Sequence, residues 1–272
     1  MADREVVQEK STCTRCGLTK SLTFEHVPPR GSGENGPTRL YNMLDALTAE
    51  TVPWDFRGRE FQNAQRGTGG YYLCSDCNSR TGRETVPAYL EMIRQTRAQN
   101  VIPLELQWAR GASWQVSLHE IEPNAIARQV ILMIACMNNH TFVRSKNLLT
   151  ILLDKHYRPK KFEHGLYVFI NAGALSVSYP AIVLGGLHGK MSVVTGVFTG
   201  TYSFQMELDQ RTNPHGYADI SNWITDFAHG ETASIDLHIP ILETNVGLPG
   251  AHQSRAEILQ NLEQHRRSQT AR

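Results

Sequence analysis

The sequence contains no uninterrupted run of 18 apolar residues, and this absence excludes an ordinary transmembrane helix. Its first residues, MADREVVQEKSTC, also lack the apolar core that a secretory signal peptide needs. We therefore predict a cytoplasmic protein that does not associate with membranes.

The chain likewise has no excess of either charge, since 27 Lys and Arg residues face 26 Asp and Glu residues for a net charge of +1. A bulk polycation is excluded, so any contact with nucleic acid must come from a local patch. Internal repeats, low-complexity tracts and a nucleotide-binding phosphate loop are also missing. With 272 residues, of which 40% are hydrophobic, the chain can form one large globular domain or two ordinary ones.

Cysteine is scarce, but four of the five cysteines fall in two identical spacings, Cys13-x-x-Cys16 and Cys74-x-x-Cys77. Two such pairs are typical of a tetrahedral zinc site. Because no secretory signal is present, reduced thiolates on a metal are favoured over disulfides. The fifth, Cys136, lies in the apolar run QVILMIACM and is predicted to be a small buried hydrophobe.

The segment between the two pairs holds an acidic–histidine pair, Glu25-His26. In order, the chain reads CTRCG, LTFEHVPPRGSG and YLCSDCNSRTG. A Cys-x-x-Cys-Gly turn is a zinc knuckle whose glycine permits the tight turn around the metal. The second pair is predicted to open a helix, because a helix N-terminus favours thiolate charge.

Three blocks, at 13–17, 25–29 and 73–82, resemble the motifs of the HNH endonuclease superfamily in its four-cysteine zinc form. They are Cys-x-x-Cys-Gly, Glu-His-Val-x-Pro and Leu-Cys-x-x-Cys-Asn-x-x-x-Gly. The resemblance covers about a quarter of the chain, from Cys13 to Arg83. It implies a treble-clef, ββα-metal fold, in which a β-hairpin and a helix surround a catalytic metal.

The resemblance also implies roles for individual residues. His26 would be the general base that takes a proton from water, which suits a side chain that titrates near neutral pH. Glu25 and Asn78 would hold a divalent cation, Mg²⁺ or Mn²⁺, while the four cysteines hold a structural zinc. The family's middle asparagine has two candidates, Asn63 and Asn42.

Several arginines lie where they could grip phosphates, although a solvated charged surface is the alternative interpretation. Three of them flank the motif blocks: Arg30, Arg80 and Arg83. A predicted insertion at 34–70, rich in turn-forming residues, holds further candidates for a clamp with aromatic stacking partners: Arg57, Arg59 and Arg66 with Phe56 and Phe61.

The periodicity of the chain predicts an α+β protein. A zinc-bound HNH-like module would occupy 1–99, and a larger α+β domain with a mostly antiparallel sheet would occupy 100–272. Helices are expected at about 87–99, 123–138, 145–156, 219–228 and 254–267. Val- and Ile-rich runs separated by Gly or Asn predict the strands of the larger domain.

These observations favour a metal-dependent endonuclease that hydrolyses DNA. The larger domain would serve in binding, regulation or oligomerisation, and the resemblance implies a bacterial or phage setting that includes antiviral defence. A catalytically inactive zinc module that holds nucleic acid or a protein is the alternative. A third hypothesis is a component of an assembly that pairs through exposed strand edges.

Overall fold

A computed structural model describes residues 10–32, 36–41, 52, 55–99, 113–171, 177–185, 191–198, 202–213, 216–242 and 255–270. The strands in these ranges are β1 Ser11–Thr12, β2 Thr19–Lys20, β3 Leu22–His26, β4 Thr38–Leu40, β5 Gln62–Ala64, β6 Gly69–Cys74, β7 Ser113–Ile121, β8 Gly165–Asn171, β9 Val177–Gly185, β10 Met191–Phe198, β11 Ser203–Leu208, β12 Ala218–Asp219 and β13 Ala233–Leu242. The helices are α1 Ser75–Glu84, α2 Val86–Ala98, α3 Pro123–Met137, α4 His140–Ser145, α5 Leu149–Leu153, α6 Trp223–Asp226 and α7 Arg255–Thr270, and a 3₁₀ turn spans Arg30–Ser32. None of these described helices is long and apolar enough to cross a bilayer.

The second half of the chain forms a seven-stranded sheet in the order β7-β13-β8-β11-β10-β9, with β12 also pairing with β8. Every pairing is antiparallel except that of β13 with β8, where Ile241 lies opposite Ile170. The predicted α+β class with a mostly antiparallel sheet is therefore confirmed.

Strand β8 is central, and all of its residues are buried. Its side chains alternate between the two faces of the sheet, as strand geometry requires. Leu166 and Val168 enter the main hydrophobic core, while Tyr167 and Phe169 enter a separate aromatic cluster. This near-continuous apolar sequence is typical of a strand that is covered on both sides.

Helix α3 is the centre of the main core, and every residue from 123 to 136 is buried. It packs against α2 and against the sheet strands β9, β10 and β11. Cys136, 3% exposed, is the buried small hydrophobe that the sequence predicts. The buried Arg128 guanidinium donates to the carbonyl oxygen of Asp154 at 2.9 Å and to those of Ile151 and Tyr157, which satisfies backbone acceptors at the end of α5.

The helix predicted at 145–156 is shorter than expected, because only α5, Leu149–Leu153, lies inside that range and α4 ends at Ser145. Ser145 ends α4 instead of capping a new helix, and Asn139 caps α4 by accepting from the Phe142 amide at 2.9 Å. Asn147 has a φ of 56°, a left-handed conformation that interrupts the helix before α5. The helix predicted at 219–228 is likewise reduced to the four residues of α6.

The first 99 residues contain more regular structure than the sequence suggests. The insertion at 34–70, interpreted as irregular, includes the antiparallel pair β4–β5, and its last two residues, Gly69 and Gly70, belong to β6. Strand β6 pairs with β3, and α1 packs on both. The proposed boundary at 99/100 stays a prediction, although Leu73 and Tyr89 lie in the same core as Val130 of α3.

Arg15, inside the first Cys-x-x-Cys turn, connects this N-terminal part to the large sheet region. Its side chain is 5% exposed. The guanidinium donates to the Leu152 carbonyl oxygen at 2.8 Å, to the Cys77 carbonyl oxygen at 3.2 Å and to Thr81 Oγ1 at 2.9 Å. An ion pair with Glu84 at 3.1 Å completes the set. One side chain therefore ties the knuckle to α1 and α5.

Replacing Arg15 with methionine should destabilise the whole protein. The change keeps an unbranched apolar stem but leaves buried acceptors unpaired, which costs on the order of 3 kcal/mol of unfolding free energy. Urea unfolding measures the difference. The exposed Arg158 provides a matched Arg158→Met control that should be nearly neutral, and equal stability of both variants would contradict the role given to Arg15.

Candidate metal centre and acidic–histidine site

The four paired cysteines come together in one cluster, with all sulfur atoms within 4.8 Å of one another. All are free thiols. Zinc–sulfur bonds of about 2.3 Å place tetrahedral sulfurs about 3.8 Å apart, and Cys16 Sγ lies 4.0 Å from Cys74 Sγ. The cluster could therefore hold a metal ion such as zinc. In the described ranges no other group of three or more His, Cys, Asp or Glu residues has this closeness.

The local sequence explains how the cluster forms. Gly17 has a φ of 75°, and a Cβ there would lie 2.3 Å from the ring of His140, so only glycine fits the knuckle. The Thr14 amide donates to the Tyr72 carbonyl oxygen at 2.9 Å, which holds the knuckle against β6. Cys74 is the N-cap of α1 and Cys77 lies in its first turn, as predicted for the second pair.

Hydrogen bonds within the cluster favour a thiolate at Cys13. A hydrogen bond from the Cys77 thiol, with further ones from the Cys16 and Cys74 amides, lowers the pKa of Cys13 to about 4 against the opposing effect of burial. The Cys74 amide lies 3.3 Å from that sulfur. The hydrogen bond that the Cys77 thiol donates to Cys13 raises the pKa of Cys77. Negative charge, the form of sulfur that binds metal, is therefore favoured at Cys13, whereas burial raises the pKa of Cys16.

The acidic–histidine pair lies at the end of β3, in the two-stranded hairpin that β3 forms with β6. Leu22 pairs with Cys74 at one end, so the hairpin begins directly beside the sulfur cluster. The register shifts between Thr23 and Phe24, which leaves Tyr72 as an extra residue in β6. Such a bulge bends a strand and changes the direction of the side chains that follow.

Strand alternation and two contacts show which way the predicted site residues face. Asn78 Nδ2 donates to Thr23 Oγ1 at 2.9 Å, so Thr23 faces α1. Glu25, two positions on, projects to the same side of β3. The His26 ring instead contacts the Phe24 ring, with 5.1 Å between centroids. Glu25 and Asn78 thus share one side of the strand, and His26 projects from the other side at its last position.

Glu25 is buried, with 8% of its surface exposed, and no described residue donates a hydrogen bond to it. Burial raises the pKa of its carboxyl group to about 7. Burial and, to a smaller extent, the Glu25 charge raise the pKa of Cys136 on α3. A buried carboxylate without a partner is unfavourable, and either a proton or a cation relieves it.

His26 is half-buried, and its environment keeps it neutral at physiological pH. Burial lowers its pKa, and the charges of Arg30 and Arg66 lower it further. Nδ1 is buried without a hydrogen-bond partner among the described residues. Asn63 lies on β5 opposite Arg39 and makes no hydrogen bond to His26, so its predicted orienting role stays a prediction. Asn42 lies outside the described residues.

Two glycines face the acidic–histidine pair across the hairpin. Gly70 lies opposite Glu25, and Gly69 lies opposite His26. Gly69 has a φ of 152°, and a Cβ there would lie 2.3 Å from the Glu25 carbonyl oxygen. Glycine in a strand often marks a close backbone approach. The residues directly opposite the pair thus carry no side chains, and the Tyr72 ring fills the space beside Gly70. The sequence interpretation missed this feature by assigning these glycines to a loop.

The predicted phosphate-binding arginines are not all available. Arg80 pairs with Glu84 at 2.9 Å, and Arg57 pairs with Asp55 at 2.6 Å. The others are exposed or half-buried and lie apart in the sequence: Arg30, Arg59 and Arg83. Arg30, together with Arg66, is near enough to His26 to affect its pKa.

Comparison of the chain with protein-family models, curated proteins and solved structures found no match. The function must therefore be argued from the chemistry of the sulfur cluster and of the hairpin next to it.

Replacing Cys74 with serine should remove the bound metal and lower the stability of the protein, because a thiolate ligand is lost from a site that joins the knuckle to the start of α1. We expect about one zinc per wild-type chain by elemental analysis and far less in the variant, with a lower thermal midpoint. Cys136→Ala is the matched control and should keep its metal. Equal metal content in wild type and Cys74→Ser would exclude the site.

Proposed function

We propose that the protein is a metal-dependent endonuclease of the HNH type that hydrolyses DNA. The observation that carries this proposal is the β3–β6 hairpin. The neutral His26 ends β3, and the buried Glu25 projects from the side of β3 that faces Asn78 on α1. The order β3, β6, α1, with a cysteine pair before it and one at its helix, agrees with the ββα-metal form that the motifs imply.

The sulfur cluster fits a structural zinc ion better than a catalytic one. Four thiolates fill the tetrahedral coordination of zinc and leave no position for water or substrate. Its role in this proposal is to hold the knuckle and the start of α1 together, so that Asn78 keeps its place beside β3.

A second, catalytic cation would bind at Glu25 and Asn78. Since Asn78 Nδ2 donates to Thr23, its amide oxygen is the atom left to act as a ligand. Carboxylate and amide oxygens suit Mg²⁺ or Mn²⁺, and such an ion stabilises negative charge on a phosphate undergoing hydrolysis. A cation there would also compensate the buried charge of Glu25.

His26 would take the proton from the attacking water. Its lowered pKa keeps the imidazole in the neutral, proton-accepting form at physiological pH. The positive charges of Arg30 and Arg66 that favour this form also attract phosphate to the same surface.

One observation favours the alternative, an adaptor that binds nucleic acid without cutting it. Glu25 and His26 project from opposite sides of β3. For catalysis, His26 and a cation at Glu25 would therefore have to reach the same phosphate past the end of β3. A wild-type protein that binds DNA but cleaves neither DNA nor RNA with any divalent metal would decide for the adaptor.

The His26→Ala variant should cleave plasmid DNA about a hundredfold to ten-thousandfold more slowly than wild type in Mg²⁺ or Mn²⁺, because a general base contributes a factor of this size. The measurement is the rate of nicking at saturating protein. His119→Ala, which alters an exposed histidine on β7, is the control and should retain the full rate. Undiminished cleavage by His26→Ala would exclude the proposed base.

The Glu25→Gln variant should show whether Glu25 is a metal ligand or a residue needed only for stability. Removing an unpaired buried charge should leave stability unchanged or increase it by roughly 1–3 kcal/mol without added divalent ions. Cleavage should nevertheless fall sharply, and Mn²⁺ should raise the melting temperature of wild type but not of the variant. A Glu25→Gln protein that unfolds more easily and responds normally to Mn²⁺ would contradict the ligand role.

A further inference from the structure

A cleft lined by aromatic residues and arginines lies at the strand pair β4–β5. Along the chain, this pair comes between β3 and β6, the two strands of the proposed catalytic hairpin. Tyr41 packs against Phe56 with 4.3 Å between ring centroids and against Phe61 with 5.9 Å. The Arg39 guanidinium lies over the Phe61 ring at 4.5 Å, and that of Arg59 lies over Phe56 at 5.7 Å. We call this the arm cleft.

The arm cleft is not part of a hydrophobic core. None of its three aromatic residues belongs to either of the buried clusters of the described chain. Phe61 remains 45% exposed although it contacts another ring and a guanidinium. The space that these side chains line is about 580 Å³, which is within the range of small-molecule sites. Packing alone therefore does not account for the cluster.

The chemistry of the lining selects a flat, negatively charged ligand. Among the described residues, three arginines and one acid line the cleft, and that acid, Asp55, pairs with Arg57 at 2.6 Å. Aromatic rings and guanidinium planes both present π-faces on which nucleobases stack. The excess positive charge attracts the phosphate of the same nucleotide and disfavours a cationic ligand. In a duplex the base faces are already stacked, so only an unpaired base can use these surfaces.

A short link joins the arm cleft to the proposed catalytic end of the β3–β6 hairpin. Strand β5 ends at Ala64 and β6 begins at Gly69, which lies opposite His26. Five peptide links span at most about 18 Å. A second exposed ring, Tyr71 at 50% exposure, contacts Phe24, and Phe24 contacts His26. Exposed aromatic rings therefore occur both in the arm cleft and next to His26.

We propose that the arm cleft binds one unpaired nucleotide of a single-stranded nucleic acid, by stacking its base on Phe61 and placing its phosphate beside Arg39. This inference rests on the proposed function and narrows its substrate to single-stranded or locally opened DNA or RNA.

Binding without cleavage tests the proposal. Fluorescence anisotropy with labelled oligothymidylate, oligouridylate and a duplex of equal length is measured on wild-type protein without added divalent ions. Single strands should bind about tenfold or more tightly than the duplex. Phe61→Leu should weaken single-strand binding about tenfold without changing its salt dependence, while Phe61→Tyr, which keeps a ring, should bind as wild type does.

Arg39→Gln should act differently, lowering the slope of log affinity against log salt by about 0.7, the value for one lost phosphate contact. Tyr157→Leu and Arg158→Gln are matched controls, since Tyr157 is 40% exposed, and both should bind as wild type does.

Two results would contradict the proposed binding at the arm cleft: equal affinity for duplex and single strand, or equal losses in Phe61→Leu and Phe61→Tyr. These results are independent of the nuclease proposal. If the wild-type protein binds single strands selectively but cleaves nothing, only the nuclease proposal is contradicted. If it cleaves but binds duplex and single strand equally, only the arm-cleft proposal is contradicted.

Discussion

The convergence of four thiols from two distant stretches of chain is the constraint on which the N-terminal region depends. Cys13 and Cys16 come from a knuckle that has only two short strands of its own, β1 and β2, while Cys74 and Cys77 begin a helix. Cys13 packs into the main core, and a metal bound by the four sulfurs would add stabilisation to this small segment. The hairpin register, the start of α1 and the position of Asn78 all follow from this junction.

The hairpin beside that junction combines features that oppose stability. Glu25 is buried and receives no hydrogen bond from the described residues, a buried nitrogen of His26 likewise has no described partner, and glycines lie opposite both residues across the hairpin. Unpaired polar atoms of this kind are uncommon in native interiors and need an explanation. A ligand that brings positive charge to one side of β3 and phosphate to the other would satisfy both groups.

The parts of the structure that depend on local pattern could be predicted from the sequence. The sulfur cluster followed from spacing, the buried α3 from its apolar run, and the antiparallel sheet from strand-like segments. What could not be predicted depends on contacts between distant residues. The burial of Glu25, the four bonds of Arg15 and the break at Asn147 have no local signal. The pairing of β4 with β5 joins strands more than twenty residues apart.

Tyr72, the extra residue in β6, changes which face of the hairpin the side chains of that strand occupy on either side of it. In a regular strand, side chains on one face recur at every second position, yet Cys74 and Tyr71 both lie opposite residues of a single face of β3, Leu22 and Phe24. Tyr72 absorbs the odd position and offers its carbonyl oxygen to the knuckle. Without this extra residue, a regular register would place Tyr71 opposite Glu25 and Gly70 opposite His26. The bulge is therefore what brings a glycine opposite each member of the acidic–histidine pair.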